Sequence, residues 1–212
     1  MIKQDRYHLF DKRADHFDLS VAASKHTFPF AGYQQVLDEI VAQADVRTGM
    51  QILDLGIGTG NLARRFVELG AKVWGIDFSS EMMIRAQRKL PQAEFVQADL
   101  LGKWPSELNR RFNRIVSAYV FHEFDLPTKI DLLRRLAFNH LSANGSIVIG
   151  DIAFATTKNR NQARKKWQTL WDEKEYYWVA DETVTVCKKT GLRVGYQQIS
   201  ICAGVFLFKP IK

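Results

Sequence analysis

From Gln51 onward, short apolar stretches alternate with helix-like ones, and that alternation constrains the fold of this chain more than any other feature. The spacing predicts strands at Met50–Leu55, Lys72–Asp77, Glu94–Ala98, Asn113–Tyr119 and Ser146–Asp151. Between them it predicts helices from Asn61, taken as a cap, to Gly70, from Ser79 or Ser80 to Lys89, and from Pro127 to His140. Capping residues, a glycine stop and apolar positions at helical spacing carry these readings. A further helix is expected from Asp181 to Thr190, stopped by Gly191, and two closing strands at Arg193–Ser200 and Cys202–Phe208. Alternating β and α with short, near-continuous apolar strands implies an α/β architecture, a doubly wound parallel sheet covered on both faces. The closing pair has no helix between its strands, which makes one of them antiparallel.

Two stretches fall outside the alternation. Residues 1–45 read as a helical N-terminal lid, and residues 154–180 as an insertion after the fifth strand, with Ala163, Trp167, Leu170 and Trp171 at helical spacing. Both are expected at one edge of the sheet, on the substrate side, because ligands of doubly wound sheets bind outside the carboxyl ends of the strands. With 212 residues and no linker, repeat or low-complexity segment, 1–212 reads as a single domain.

Composition narrows the function classes. At 46% hydrophobic and 25% charged residues the chain is neither disordered nor fibrous. Its longest apolar runs are far short of the roughly 20 residues that span a bilayer. Met1–His8 has no apolar stretch after its charges, so a cytoplasmic protein without a secretory signal is expected. Cys187 and Cys202 read as buried, reduced thiols, and the five histidines form no metal-ligand spacing, so no metal site is expected. The net charge of +7 favours anionic partners and permits nucleic acid. Oligomeric state is open between monomer and homodimer.

The most informative segment is Ile52-Leu-Asp-Leu-Gly-Ile-Gly-Thr-Gly60. Gly56 and Gly58 allow a sharp turn and close approach of a ligand, and Gly60 allows the next helix to pack tightly. Helix N-termini point unpaired N–H groups at whatever sits above. Asp77 ends the next strand at the distance from the turn where a carboxylate accepts both hydroxyls of an adenosine ribose; a helix cap is its structural alternative. Asn61 stands where a dinucleotide fingerprint would need glycine. Asp54, two residues before the turn, would repel a pyrophosphate and suits a ligand with a positive amino group.

With these residues the sequence resembles the class I S-adenosylmethionine-dependent methyltransferases, of the small bacterial single-domain kind. Asp54-Leu-Gly-Ile-Gly-Thr-Gly60 matches their first motif, and Asp77 with Phe78-Ser-Ser-Glu-Met82 and Ala86 their second. Ala98-Asp99-Leu100 matches the segment whose acid holds the adenine amino group, Ser117–Glu123 is similar to the fourth motif, and Leu141–Gly145 to the turn before strand five. Phe10-Asp-Lys-Arg-Ala-Asp-His-Phe17-Asp18 resembles the N-terminal segment that closes over the cofactor, with Phe17 in place of the usual tyrosine. The resemblance covers roughly residues 10–208. It implies a Rossmann-like seven-stranded sheet, mostly parallel with the last strand antiparallel. It also implies S-adenosyl-L-methionine as cofactor, bound by Asp54, Gly56, Gly58, Thr59, Gly60, Asp77, Phe78, Met82, Asp99, Leu100, Ala118, Tyr119 and Phe17.

Moving a methyl group from a sulfonium to a nucleophile requires the reactants in line and close together. A dry aromatic pocket suits the cation, and Tyr33, Trp167, Trp171 and Tyr177 are the candidate substrate contacts among the aromatic residues. His122, after strand four, is the candidate base, with Glu123 and Asp151 as alternatives; a histidine that merely covers the cofactor is the competing reading. The leading expectation is methylation of a small-molecule acceptor. The second is methylation of RNA, above all tRNA, through Lys158, Arg160, Arg164, Lys165 and Lys166 beside Trp167 and Trp171. The third is an S-adenosylmethionine binder without catalysis.

Overall fold

The computed structural model describes residues 17–24 and 26–211. The expected alternation is present. β1 (Gln51–Leu55), β2 (Lys72–Asp77), β3 (Glu94–Gln97), β4 (Phe112–Ala118), β5 (Leu141–Phe154), β7 (Leu192–Gln198) and β8 (Ala203–Pro210) form one sheet in the order β3-β2-β1-β4-β5-β8-β7. A two-residue β6 (Trp178–Val179) adds to β5. β1 to β5 are mutually parallel, and β8 runs antiparallel to both β5 and β7, as the tail predicts.

Alternate residues of a strand point to opposite faces, and each face of this sheet carries its own core. Ile52, Val73, Val116, Val148 and Val205 belong to one apolar cluster. Their neighbours Leu53, Ile115, Ile147, Ile149 and Phe206 belong to the other. Asp54 shares the parity of Ile52, so the strand that builds the core also aims this acid into the first face at the sheet's carboxyl edge.

α1 (Phe17–Ala23) and α2 (Tyr33–Ala44) are the described helices of the N-terminal segment; residues 1–16 lie outside the described residues. The expectation that this segment sits at an edge needs correcting for α2. Val36, Leu37 and Ile40 are at most 1% exposed, and α2 packs on β4, β5 and β8 across the middle of the sheet. Gly150 of β5 permits this, since a Cβ there would collide with Val36 and Ile40. Arg114 of β4 fastens the other end through the carbonyls of Ala44 and Asp45.

α3 (Asn61–Glu68) is capped by Gly60 at φ 84° rather than by Asn61, because the tight turn delivers the chain in a left-handed conformation. α4 (Ser80–Lys89) is capped by Ser79, which accepts from the Met82 amide at 3.2 Å. α5 (Leu126–Arg135) is capped by Asp125, and the turn that continues it, Leu136–His140, is a π-helix. β5 begins earlier than expected, at Leu141, because that residue pairs with Phe112 across an irregularity in β4.

The insertion differs most from expectation. α6 (Thr157–Lys166) buries only Ala163, and Trp167, Leu170 and Trp171 lie beyond its end. An apolar stripe needs a surface to cover; the tryptophans find it by stacking on Phe28, at 5.3 Å for Trp167 and 5.6 Å for Trp171. α7 (Ala180–Cys187) then leads to Gly191 and β7. Both cysteines are free and buried. Among the described residues, no helix is long and apolar enough to cross a membrane.

Candidate active site

The cleft above the carboxyl ends of β1, β2 and β4 is built first by the turn after β1. Gly56 has φ 66°, and a Cβ on it would stand 2.5 Å from Val120. Gly58 has φ 53°, and a Cβ on it would meet nothing closer than 3.9 Å, so its backbone faces open space. The turn is held from β2: the Gly58 N–H donates to Asp77 Oδ2 at 2.9 Å, and the Ser79 N–H to Asp77 Oδ1 at 2.9 Å. Ser79, not Asp77, therefore caps α4.

Asp54 is 1% exposed, and its Oδ2 has no hydrogen-bond partner among the described residues. Burial, then the nearby charge of Asp77, pushes its carboxyl well above the usual range, against a hydrogen bond from the Ala63 amide. Asp99 receives the Leu101 N–H at 2.9 Å on the same rim. Phe78, Met82, Leu100 and Ala118 form apolar walls.

Tyr119 follows β4 with φ 57°, an uncommon conformation for a residue with a side chain. Its N–H is tied to Gly150 O at 2.9 Å. Its ring stacks on Tyr33 at 5.2 Å and meets Phe30 at 5.4 Å. The hydroxyl is buried without a partner among the described residues, and burial pushes its pKa well up. Asn61 reaches the Tyr33 hydroxyl at 3.4 Å, linking this aromatic wall to α3.

His122 lies behind the cleft rather than in its wall. Its N–H donates to Asp151 Oδ2 at 2.8 Å, and Nδ1 stands 2.7 Å from Asp151 Oδ1. Asp151 is fully buried and also accepts from the Ile152 amide and, at 3.2 Å, from Trp178 Nε1. Burial pulls the imidazole pKa down, but the charge and hydrogen bond of Asp151, with Glu175, outweigh it, and the net shift is upward.

The structure thus brings together most of the residues singled out in the sequence. Asp54, Gly56, Gly58, Thr59, Asp77, Phe78, Met82, Asp99, Leu100, Ala118, Tyr119 and Tyr33 all line this cleft. Gly60 does not; it faces Ala86 of α4 and Leu90 just beyond that helix. Trp167, Trp171 and Tyr177 gather around Phe28 away from the cleft, with Trp171 and Tyr177 in edge contact at 4.5 Å. Phe17 begins α1, and its side chain lies outside the described residues. Sequence reasoning missed Ile57, Leu62, Leu101, Val120 and Phe124 as cleft walls, weighed Asn61 only as a cap, and took Glu123 only as an alternative base. Each of these neighbours a motif position, so adjacency on the turns was the signal that could have found them.

The fold and the glycine turn flanked by acids define a class I methyltransferase. A family model described as a methyltransferase domain matches residues 52–145. An uncharacterised methyltransferase of Geobacillus kaustophilus is 30% identical over 214 residues, covering 96% of this chain and 95% of the relative. One of Alkaliphilus oremlandii is 32% identical over 179 residues, covering 80% and 81%. Among solved structures, the DhpI–SAM–HEP complex has a TM-score of 0.76 at 16% identity, covering 98% of this chain and 97% of that one. A TehB-like SAM-dependent methyltransferase of Corynebacterium glutamicum has a TM-score of 0.64 at 21% identity, covering 96% and 98%. The chain belongs to the small bacterial S-adenosylmethionine-dependent methyltransferases.

Proposed function

We propose that the protein transfers the methyl group of S-adenosylmethionine to a small-molecule acceptor held between the aromatic wall and the loop after β4. The bound cofactor supplies an electrophilic methyl on a sulfonium. The single observation that carries its placement is the Asp54 carboxylate, buried in the cleft with one oxygen unpartnered among the described residues. A buried anion without a partner is costly, and an ammonium group of the cofactor satisfies it. Asp77, immobilised by Gly58 and Ser79, keeps lone pairs for ribose hydroxyls, since each carboxylate oxygen accepts more than one bond. Asp99 takes the adenine amino group, with Phe78, Met82 and Leu100 against the ring.

Phe30, Tyr33 and Tyr119 present ring faces and edges that suit a sulfonium and exclude water. The Tyr119 hydroxyl, buried and unpartnered among the described residues on a backbone held by the Tyr119 N–H bond to Gly150 O, supplies a donor on the acceptor side. The insertion supports the small-molecule reading over RNA. Trp167 and Trp171 are stacked on Phe28, so those ring faces are not presented to a base, and the charge of Arg164 is offset by Glu173 at 2.7 Å. Phe28 of the N-terminal segment stacks on Trp167 and Trp171 of the insertion, so these two parts of the chain brace each other.

The test is transfer of a tritiated methyl group into a metabolite extract and into tRNA from the same cells. Label in a small-molecule fraction is the expected result; label in the RNA alone would replace this reading with the second one.

A further inference from the structure

Behind the cleft wall, three side chains from two separate loops converge. His122 Nε2 stands 3.9 Å from Glu123 Oε1 and 3.9 Å from Glu175 Oε1. One donor atom from each of the three lies within 4.8 Å of the others. These separations are too long for hydrogen bonds, yet the side chains are only 12%, 19% and 20% exposed. Three potential ligands are therefore held close together, largely out of water, without direct hydrogen bonds between them.

The histidine is prepared for one role. With Nδ1 held against the buried Asp151 carboxylate at 2.7 Å, the ring presents Nε2 to Glu123 and Glu175, and a cation there would take the place of any proton on that nitrogen. A carboxylate that fixes the tautomer and aim of a ligating imidazole is the usual outer partner of a metal-bound histidine. Glu175 is set by its own chain: the next amide, of Tyr176, donates to His122 O at 2.7 Å and so ties the two loops together. Lys129, whose charge also acts on His122, donates to Tyr176 O and stands 4.5 Å over the Trp178 ring.

We propose that His122, Glu123 and Glu175 form a binding site for a divalent cation such as Mn2+ or Zn2+, which holds the methyl acceptor by a hard oxygen. This rests on the reading of the adjoining cleft as the site of methyl transfer. One imidazole and two carboxylates make a donor set of intermediate hardness, suited to these ions. Ligand atoms around a tetrahedral ion at about 2.1 Å stand roughly 3.4 Å apart, so binding draws each glutamate oxygen about half an ångström toward Nε2 and the two oxygens toward each other by at most about 1.4 Å, within reach of side-chain rotations. Glu123 lines the cofactor cleft, whereas Glu175 lines the groove on the insertion side, so the cation stands where the two adjoin, beside the path of methyl transfer. The acceptor class that follows is a molecule with a hydroxyl, carboxylate or phosphorus-bound oxygen beside the methylated atom. No ligand spacing in the sequence announces the site, because its members come from turns after different strands.

The experiment titrates chelator-treated protein with Mn2+, followed by the loss of the free-ion electron paramagnetic resonance signal, and separately with Zn2+ by calorimetry. S-adenosylmethionine affinity is measured on the same samples. The proposal expects one ion per chain, binding weakened about tenfold or more in Glu175→Gln and in Glu123→Gln, and cofactor affinity within about twofold of the parent in Glu175→Gln. Circular dichroism confirms that each variant is folded. Failure of the parent protein to bind either ion at about 1 mM, weaker than ordinary metal sites, overturns the proposal. Binding that both variants leave unchanged overturns it equally. A protein that binds the ion but not S-adenosylmethionine keeps the cation site and removes the methyl-transfer reading, so the two fail separately.

Discussion

The amide of Gly58 donates to the carboxylate of Asp77 at 2.9 Å, so the acid that ends β2 holds the turn that ends β1. The residue assigned to the ribose is therefore also a brace for the backbone that approaches the cofactor. Asp77→Ala removes both functions. Hydrogen bonds to a charged group contribute about 1.5–3 kcal/mol each. S-adenosylmethionine affinity should fall at least tenfold by calorimetry, and the midpoint of urea unfolding should drop as well. Unchanged affinity would remove the ribose assignment.

Asp54 makes an opposite pair of predictions. Its folded-state pKa is raised by burial and then by Asp77. A raised carboxyl binds its proton more tightly in the folded state, so this group's contribution to stability falls as pH rises from the unfolded value of about 3.9 to the raised one. Asp54→Asn should stabilise the cofactor-free protein at neutral pH, because the amide carries no charge to be desolvated, while weakening cofactor binding. Thermal melts with and without S-adenosylmethionine read both effects. A variant that loses stability without ligand would show that Asp54 is satisfied in the free protein.

The contrast between these two acids and the tryptophans shows what the sequence made legible. Gly56, Gly58, Asp54 and Asp77 were readable because their roles are local: a left-handed turn needs glycine, and strand ends aim their last side chains at the same cleft. The parallel sheet followed from the alternation of strands and helices, and an antiparallel strand at its closing end from the missing helix. The order of the strands is seen only in the folded chain. Trp167 and Trp171 were misplaced because their spacing fits a helix as well as it fits a stack on Phe28, and only the folded chain decides between local periodicity and a distant ring. His122 and Asp151 were each singled out, but their pairing was not. It arises because Ala118 of β4 lies beside Gly150 of β5, so the residues just beyond these positions fall together. Gly150 likewise reads as an ordinary strand residue in the sequence, because the helix that lies against it, α2, comes from a distant part of the chain.

Phe28 is 2% exposed, stacked on both tryptophans and in edge contact with Tyr177 at 5.7 Å. It is the point where the N-terminal segment and the insertion hold each other. Phe28→Ala should cost about 3–5 kcal/mol, the usual penalty for removing a buried phenylalanine. It should also expose the chain near Trp167 to limited proteolysis before the sheet unfolds. If the two segments move independently, cleavage at the insertion will be no faster in the variant than in the parent.

Lys129 gives a pH signature. The side chain is 2% exposed, and burial lowers its pKa from 10.5 to about 8. A lysine with a depressed folded-state pKa holds its proton less tightly than in the unfolded chain, so its penalty is full below about pH 8 and is relieved as pH rises toward the unfolded value. Between pH 7 and 9.5 the parent protein should therefore gain roughly 2 kcal/mol relative to Lys129→Met, because each tenfold change in proton affinity is worth about 1.4 kcal/mol. The comparison with Lys129→Met cancels the other groups that titrate in this window. Urea denaturation of both proteins at the two pH values measures it, and parallel pH dependences would mean that Lys129 keeps an ordinary lysine pKa despite its burial under the Trp178 ring.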